Sequence, residues 1–224
     1  MSIEEKTGLQ KRKKGIETAN RILEESAELF AHKGFDSTSM HEIAAAVGIK
    51  ESSLYNHFDG KTAILDALLD IFKEKAPESW PSDDEVDRML TIMQPEEIFK
   101  NILFYFGSHG NAMVENIAMV ITNEKYKNAK AASAYYESVV REPSDYYERL
   151  INKMYGRGMV QKVDARIFAE QYNYVSIALT KEYFMVKNGL ADMNTVIRYM
   201  IKTIGFFCGL MQENAGAPDH EKKT

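Results

Sequence analysis

Thr38-Ser39-Met40-His41-Glu42-Ile43-Ala44-Ala45-Ala46-Val47-Gly48-Ile49-Lys50-Glu51-Ser52-Ser53-Leu54-Tyr55-Asn56-His57-Phe58 is the stretch whose reading decides the fold. Ser39 with Glu42 three residues on makes an S-x-x-E capping box, which starts a helix at about Met40. Gly48 stops that helix, because glycine takes the positive φ of a tight turn without penalty. A second short helix follows over about 50–57. Two such helices joined by a short turn have the geometry of a helix-turn-helix, whose second helix enters the DNA major groove. Ala44 is small where the two helices approach. Leu54, with Ile43, Val47 and Ile49, fills the shared core and leaves the other face of the second helix polar.

Upstream, apolar Ile22, Leu23, Ala27 and Phe30 share one face of a helix over about 16–33. Gly34 suits the left-handed position after it, with Phe30 and Phe35 as the hydrophobic pair of a Schellman cap. Residues 1–15 are polar and carry Lys11-Arg12-Lys13-Lys14, so a flexible basic arm is expected there. Downstream, apolar residues recur at three- and four-residue spacing almost throughout. The pattern predicts helices at about 61–75, 84–93, 96–107, 111–123, 127–156, 165–188 and 192–213. Pro143 is expected to break or kink the helix over 127–156 near Arg141. Asp164 caps the helix over 165–188, and the tail 215–224 reads as flexible. The fold class is all-α: a helix-turn-helix domain at 16–60 and a larger helical domain at 61–214.

Composition agrees and narrows the function. The chain has 224 residues, 45% hydrophobic and 27% charged, enough for one or two domains. Net charge is −5, and residues 1–60 carry eight Lys or Arg against ten Asp or Glu, so no global positive field advertises nucleic acid. One cysteine, Cys208, excludes a disulfide framework and a multi-cysteine zinc site, and five scattered histidines suggest no metal centre. No cofactor is expected. The opening residues lack the apolar core of a signal peptide, and Arg198 and Lys202 interrupt the most apolar late stretch. A cytoplasmic protein with no membrane partner is therefore expected. No H-E-x-x-H, G-x-S-x-G, Walker or dinucleotide fingerprint is present, which argues against an enzyme.

From Arg21 to Leu65 the sequence resembles the tetracycline-repressor (TetR) family of bacterial regulators. The resemblance is carried by Arg21-Ile22-Leu23-Glu24-Glu25-Ser26-Ala27-Glu28-Leu29-Phe30, Gly34-Phe35, Thr38-Ser39-Met40, Ile43-Ala44, Val47-Gly48 and Leu54-Tyr55-Asn56-His57-Phe58, then Lys61. It implies that Tyr55, His57 and Lys61 hold the DNA backbone, contacts that position a protein without reading sequence. It also implies that His41, Glu51, Ser52 and Ser53 reach base edges, and it draws Thr38, Ser39, Lys50 and Asn56 into the DNA-facing set. Two residues depart from the family pattern. Lys50 stands where Ser or Thr often caps the recognition helix, and Glu51 stands where a lysine is common. Glu51 cannot bind phosphate but can accept a hydrogen bond from cytosine N4.

The larger domain carries material for a sensor. Twelve Met and twelve Tyr supply adaptable apolar surface and rings with polar tips. Phe106, His109, Met113, Asn116, Tyr147 and Tyr172 are the candidate lining of a pocket for a small, largely apolar effector. The resemblance implies that the last two helices pair across a two-fold axis. Phe168, Val175 and Leu179 on one, with Met200, Ile204, Phe207 and Met211 on the other, are the expected homodimer contacts; Gly205 and Gly209 permit close approach. The function expected is a ligand-responsive repressor binding palindromic double-stranded DNA as a dimer, with the helix over 61–75 transmitting the ligand's effect. The alternative is a helical adaptor or activator acting through a protein partner.

Overall fold

The computed structural model describes residues 3–109 and 111–213. In chain order the helices are α1 (Ile3–Lys33), α2 (Met40–Val47), α3 (Glu51–Leu54), α4 (Lys61–Lys75), α5 (Asp83–Ile92), α6 (Pro95–His109), α7 (Ala112–Glu124), α8 (Ala129–Tyr135), α9 (Glu142–Gly156), α10 (Ala165–Lys187) and α11 (Met193–Glu213). A 3₁₀ turn, Ala76–Ser79, follows α4, and a π-helical turn, Tyr136–Arg141, joins α8 to α9. The described residues contain no strand. No helix among them is long and apolar enough to cross a membrane.

The chain packs as two compact units, Met1–Pro77 with Gly110–Tyr135, and Glu78–His109 with Tyr136–Thr224. In the first, α1 lies along α7 and against α2, while α4 packs on α1, α7 and α8. Ile22, Ala27 and Phe30 of α1, Ile64, Leu65, Leu68 and Leu69 of α4, and Ile117 and Ile121 of α7 are buried. Gly34 ends α1 at φ 94°, and the rings of Phe30 and Phe35 meet edge to face at 5.1 Å, as the Schellman spacing predicts. Helical backbone runs through 3–15, where the sequence reading places a flexible arm. That stretch has no proline, and its Glu, Lys, Gln and Arg residues are good helix formers that continue α1.

The second unit is built on α9, α10 and α11, with α5 and α6 beside them. Its core takes in Val86, Leu90, Ile98, Phe99, Tyr147, Leu150, Met154, Phe168, Tyr172, Ile204, Phe207 and Met211. Aromatic rings form a connected chain through it: Phe99 to Tyr172 at 4.9 Å, Tyr172 to Phe207 at 5.2 Å, and Phe207 to Phe168 at 5.2 Å. Cys208 is buried in the same core, and burial pushes its thiol up to about 12.

One expectation is met and one is corrected here. The helix predicted over 127–156, kinked near Arg141, is α8, the π-helical turn and α9, with the change of winding directly ahead of Pro143. The dimer contacts named from sequence are divided between faces. Phe168, Ile204, Phe207 and Met211 are buried inside a single chain, Leu179 and Met200 are half-buried, and of the set only Val175 is exposed. The reason is that α11 is apolar on two sides. Val196, Ile204, Phe207 and Met211 turn into the core, whereas Tyr199, Phe206 and Leu210 stand 52%, 63% and 40% exposed. A helix apolar all round does not disclose which side meets its own chain.

Candidate nucleic-acid interface

The helix-turn-helix is assembled by local caps and a few ties from α1 and α4. Ser39 Oγ accepts the amide of Glu42 at 3.2 Å, and Glu42 Oε2 accepts the Ser39 amide at 2.9 Å. Glu42 also pairs with Lys33 at the end of α1. These donors, Lys33 first, hold the Glu42 carboxyl down at about 2. At the far end of α2, Gly48 takes φ 74°, and Arg21 of α1 reaches across to donate to the Val47 carbonyl at 2.6 Å. α2 is thus tied at both ends to α1. Met40, Ile43, Ala44 and Val47 of α2 and Leu54 of α3 are buried between the helices.

α3 is shorter than the predicted 50–57. Its regular part ends at Leu54, and the coil tightens beyond it, with the amides of Asn56 and His57 donating to Ser53 and Leu54 carbonyls. Lys50 opens it with no side-chain cap, as its chemistry predicts. Lys50, Ser52, Tyr55 and Asn56 are exposed, and Glu51, Ser53 and His57 are half-buried. Tyr55 is 50% exposed. His41 of α2 comes within 3.5 Å of Glu51, Nδ1 to Oε2, which brings together the two residues expected to face bases from different helices.

Three residues of the expected DNA-facing set have other work. Thr38 is 2% exposed, and its hydroxyl donates to the Gly34 carbonyl at 2.8 Å, closing the turn after α1. Ser39 is exposed, but its hydroxyl is held within the capping box. Lys61 Nζ donates to the Phe35 and Asp36 carbonyls at 2.6 and 3.3 Å and lies 4.6 Å from the Phe35 ring centre. It is a strut from the first turn of α4 to the end of α1. Arg21 and Lys33 are the residues the sequence reading passed over. Both sit on α1, and only the fold brings their charges to α2.

The candidate effector residues fall in different places. Met113 and Asn116 are half-buried on α7 in the first unit. Tyr147 and Tyr172 are buried in the second, with ring centres 4.7 Å apart. Burial pushes the phenol of each upward, so both stay neutral hydrogen-bonding groups. The side chains of Phe106 and His109 lie outside the described residues. No group of three or more His, Cys, Asp and Glu is placed to hold a metal among the described residues.

The fold and this surface define an all-helical protein with an N-terminal helix-turn-helix. The profile described as "Bacterial regulatory proteins, tetR family" matches residues 22–68, the segment from α1 to α4 that carries the surface. Over that segment the chain is similar to the TetR family of transcriptional regulators. It is 24% identical over 147 residues to the HTH-type transcriptional regulator YerO of Bacillus subtilis, covering 66% of this chain and 50% of YerO. It is 44% identical over 45 residues to IcaR of Staphylococcus aureus, the negative regulator of the biofilm operon icaADBC, covering 20% of this chain and 24% of IcaR. The chain therefore spans half or less of these relatives. Among solved structures, Salmonella enterica GusR superposes with TM-score 0.62 at 18% identity, over 87% of this chain and 95% of that one. AibR, solved with isovaleryl coenzyme A and operator DNA, superposes with TM-score 0.52 at 20% identity, over 73% and 83%. These two likenesses concern the fold.

Proposed function

We propose that the chain is a ligand-responsive transcriptional repressor that binds a palindromic operator as a homodimer in the cytoplasm and is released by a small, largely apolar effector. It acts by binding rather than by catalysis. The observation that carries this reading is the polar face of α3, exposed on a helix-turn-helix whose other face is buried and tied to α1. Lys50, Tyr55, Asn56 and His57 are the proposed backbone contacts, with Glu51, Ser52, Ser53 and His41 toward the bases. Thr38, Ser39 and Lys61 support that surface from behind. The dimer face we propose is the exposed apolar side of α10 and α11, namely Tyr174, Val175, Tyr199, Phe206 and Leu210, with Gly205 and Gly209 between. The effector is proposed to enter beside Tyr147 and Tyr172, whose rings offer apolar surface with hydroxyl tips. Two relatives support a regulator of this kind: IcaR, named a negative regulator, and AibR, solved with an acyl-coenzyme A and its operator.

The experiment is selection of the purified protein against a random duplex library at two salt concentrations. A palindrome is expected, with affinity falling as salt rises because phosphate contacts release counterions. Tyr55→Phe combined with His57→Ala is expected to abolish retention while the dimer persists. Recovery of no motif at either salt would reject the operator reading.

A further inference from the structure

The junction of α8 and α9 is wound in an uncommon way, for a reason that lies 30 or so residues away. In an α-helix the N–H of residue 143 donates to the carbonyl of residue 139. Residue 143 is proline, which has no N–H and whose ring crowds that carbonyl. The π-helical turn Tyr136–Arg141 widens the helix just ahead of it. A donor from another helix replaces the missing one. Asn173 of α10, 3% exposed, donates through Nδ2 to the carbonyls of Val139 and Val140 at 3.2 and 2.9 Å, and to Ser144 Oγ at 3.2 Å. Inside the same turn, the buried Ser138 hydroxyl has no hydrogen-bond partner. The wide turn is therefore bridged by one amide and contains one buried hydroxyl without a hydrogen-bond partner, and π-helical turns are frequent at functional sites.

This amide sits beside the sensor pair. Tyr172 precedes Asn173 on α10, and Tyr147 is three residues past Ser144 on α9. The Tyr147–Tyr172 ring contact and the Asn173–Ser144 hydrogen bond thus belong to one seam between α9 and α10. Because Tyr172 and Asn173 are adjacent on α10, a shift of that helix at one is shared by the other. On its N-terminal side the turn is joined through the chain to α8. Lys130 of α8 pairs with Asp66 of α4, and Lys127 just ahead of it pairs with Asp36, at 3.0 Å, in the turn after α1.

We propose that the Tyr136–Arg141 turn is a helix-register switch latched by Asn173, through which the effector seam addresses the DNA-binding unit. Displacing Asn173 frees the turn to rewind. Each residue of register exchanged turns α8 by about 100° and moves it ~1.5 Å along its axis, which loosens the Lys130–Asp66 and Lys127–Asp36 braces. The inference rests on the operator-binding reading above and adds the route.

The test compares Asn173→Ala, Pro143→Ala and the double variant in the full chain, because Pro143→Ala returns an N–H to the Val139 carbonyl and makes the latch redundant. In Asn173→Ala, amide hydrogen exchange over residues 129–141 is expected to quicken by about tenfold. Operator affinity per folded molecule is expected to shift several-fold. Both effects are expected to shrink in the Pro143→Ala background. Should Asn173→Ala not fold, Ser144→Ala, which removes one latch partner at almost constant volume, takes its place with the same expected signs. Unchanged exchange over 129–135 with only global stability lowered, or equal effects in both backgrounds, overturns the switch and leaves Asn173 a packing residue. If the parent protein selects no operator, the proposed function fails, and the exchange experiment still decides the switch.

Discussion

Glu42 shows how much one carboxylate does in this fold. It accepts from the Ser39 amide and hydroxyl and pairs with Lys33, so it caps α2 and ties it to α1 together. Its carboxyl is held at about 2, below the ordinary 4.5. A lowered folded-state pKa contributes stability above the unfolded value that is lost as pH falls toward the folded one. Circular dichroism during acid titration is therefore expected to show helix loss between about pH 4.5 and 2 that Glu42→Gln makes shallower. Glu51 is read at the same scale. It faces His41 at 3.5 Å, which orients its carboxylate. The sequence discloses the Ser39–Glu42 box because its whole chemistry lies within four residues. The Lys33, Arg21 and Lys61 ties were not legible, since each joins residues between 9 and 26 apart that only the fold brings together.

Among the elements, α2 and α3 follow from sequence because caps and glycines punctuate them, and Leu54 is the plug they share. It is fully buried, so Leu54→Ala is expected to cost about 2–5 kcal/mol. Urea unfolding with an unchanged slope would check that this is lost packing. The mixed element is the stretch predicted as one kinked helix. Pro143 announces a break, and the sequence places it correctly near Arg141. What the sequence does not announce is the π-helical winding, because its second cause is Asn173 on a helix that follows much later. The basic run at Lys11–Lys14, expected as an arm from its charge, lies on helical backbone that continues α1.

At the scale of the whole molecule, α10 and α11 carry the proposed dimer face. Their periodicity is strong enough to predict both helices, but it carries apolar residues on two sides and does not say which side faces out. Phe206 and Leu210 stand exposed on that proposed face. Phe206→Asp with Leu210→Asp is expected to give a folded monomer in sedimentation velocity and to weaken operator binding, since one half-site contact remains of two. A dimer of unchanged mass in that variant would move the interface elsewhere. Of the candidate effector residues, Tyr147 and Tyr172 meet ring to ring in the second unit, whereas Met113 and Asn116 lie in the other, a division that helical spacing does not disclose.

The sole cysteine, Cys208, lies in the core of the second unit with its thiol raised to about 12. Thiolate is the form that reacts with maleimides and iodoacetamides, so the native chain is nearly silent to both. One cysteine introduced at exposed Ser52 would accordingly take a fluorophore alone, with no need to remove the resident thiol. The same silence ends when the core opens, and delayed labelling of Cys208 then becomes a built-in clock for unfolding of the second unit.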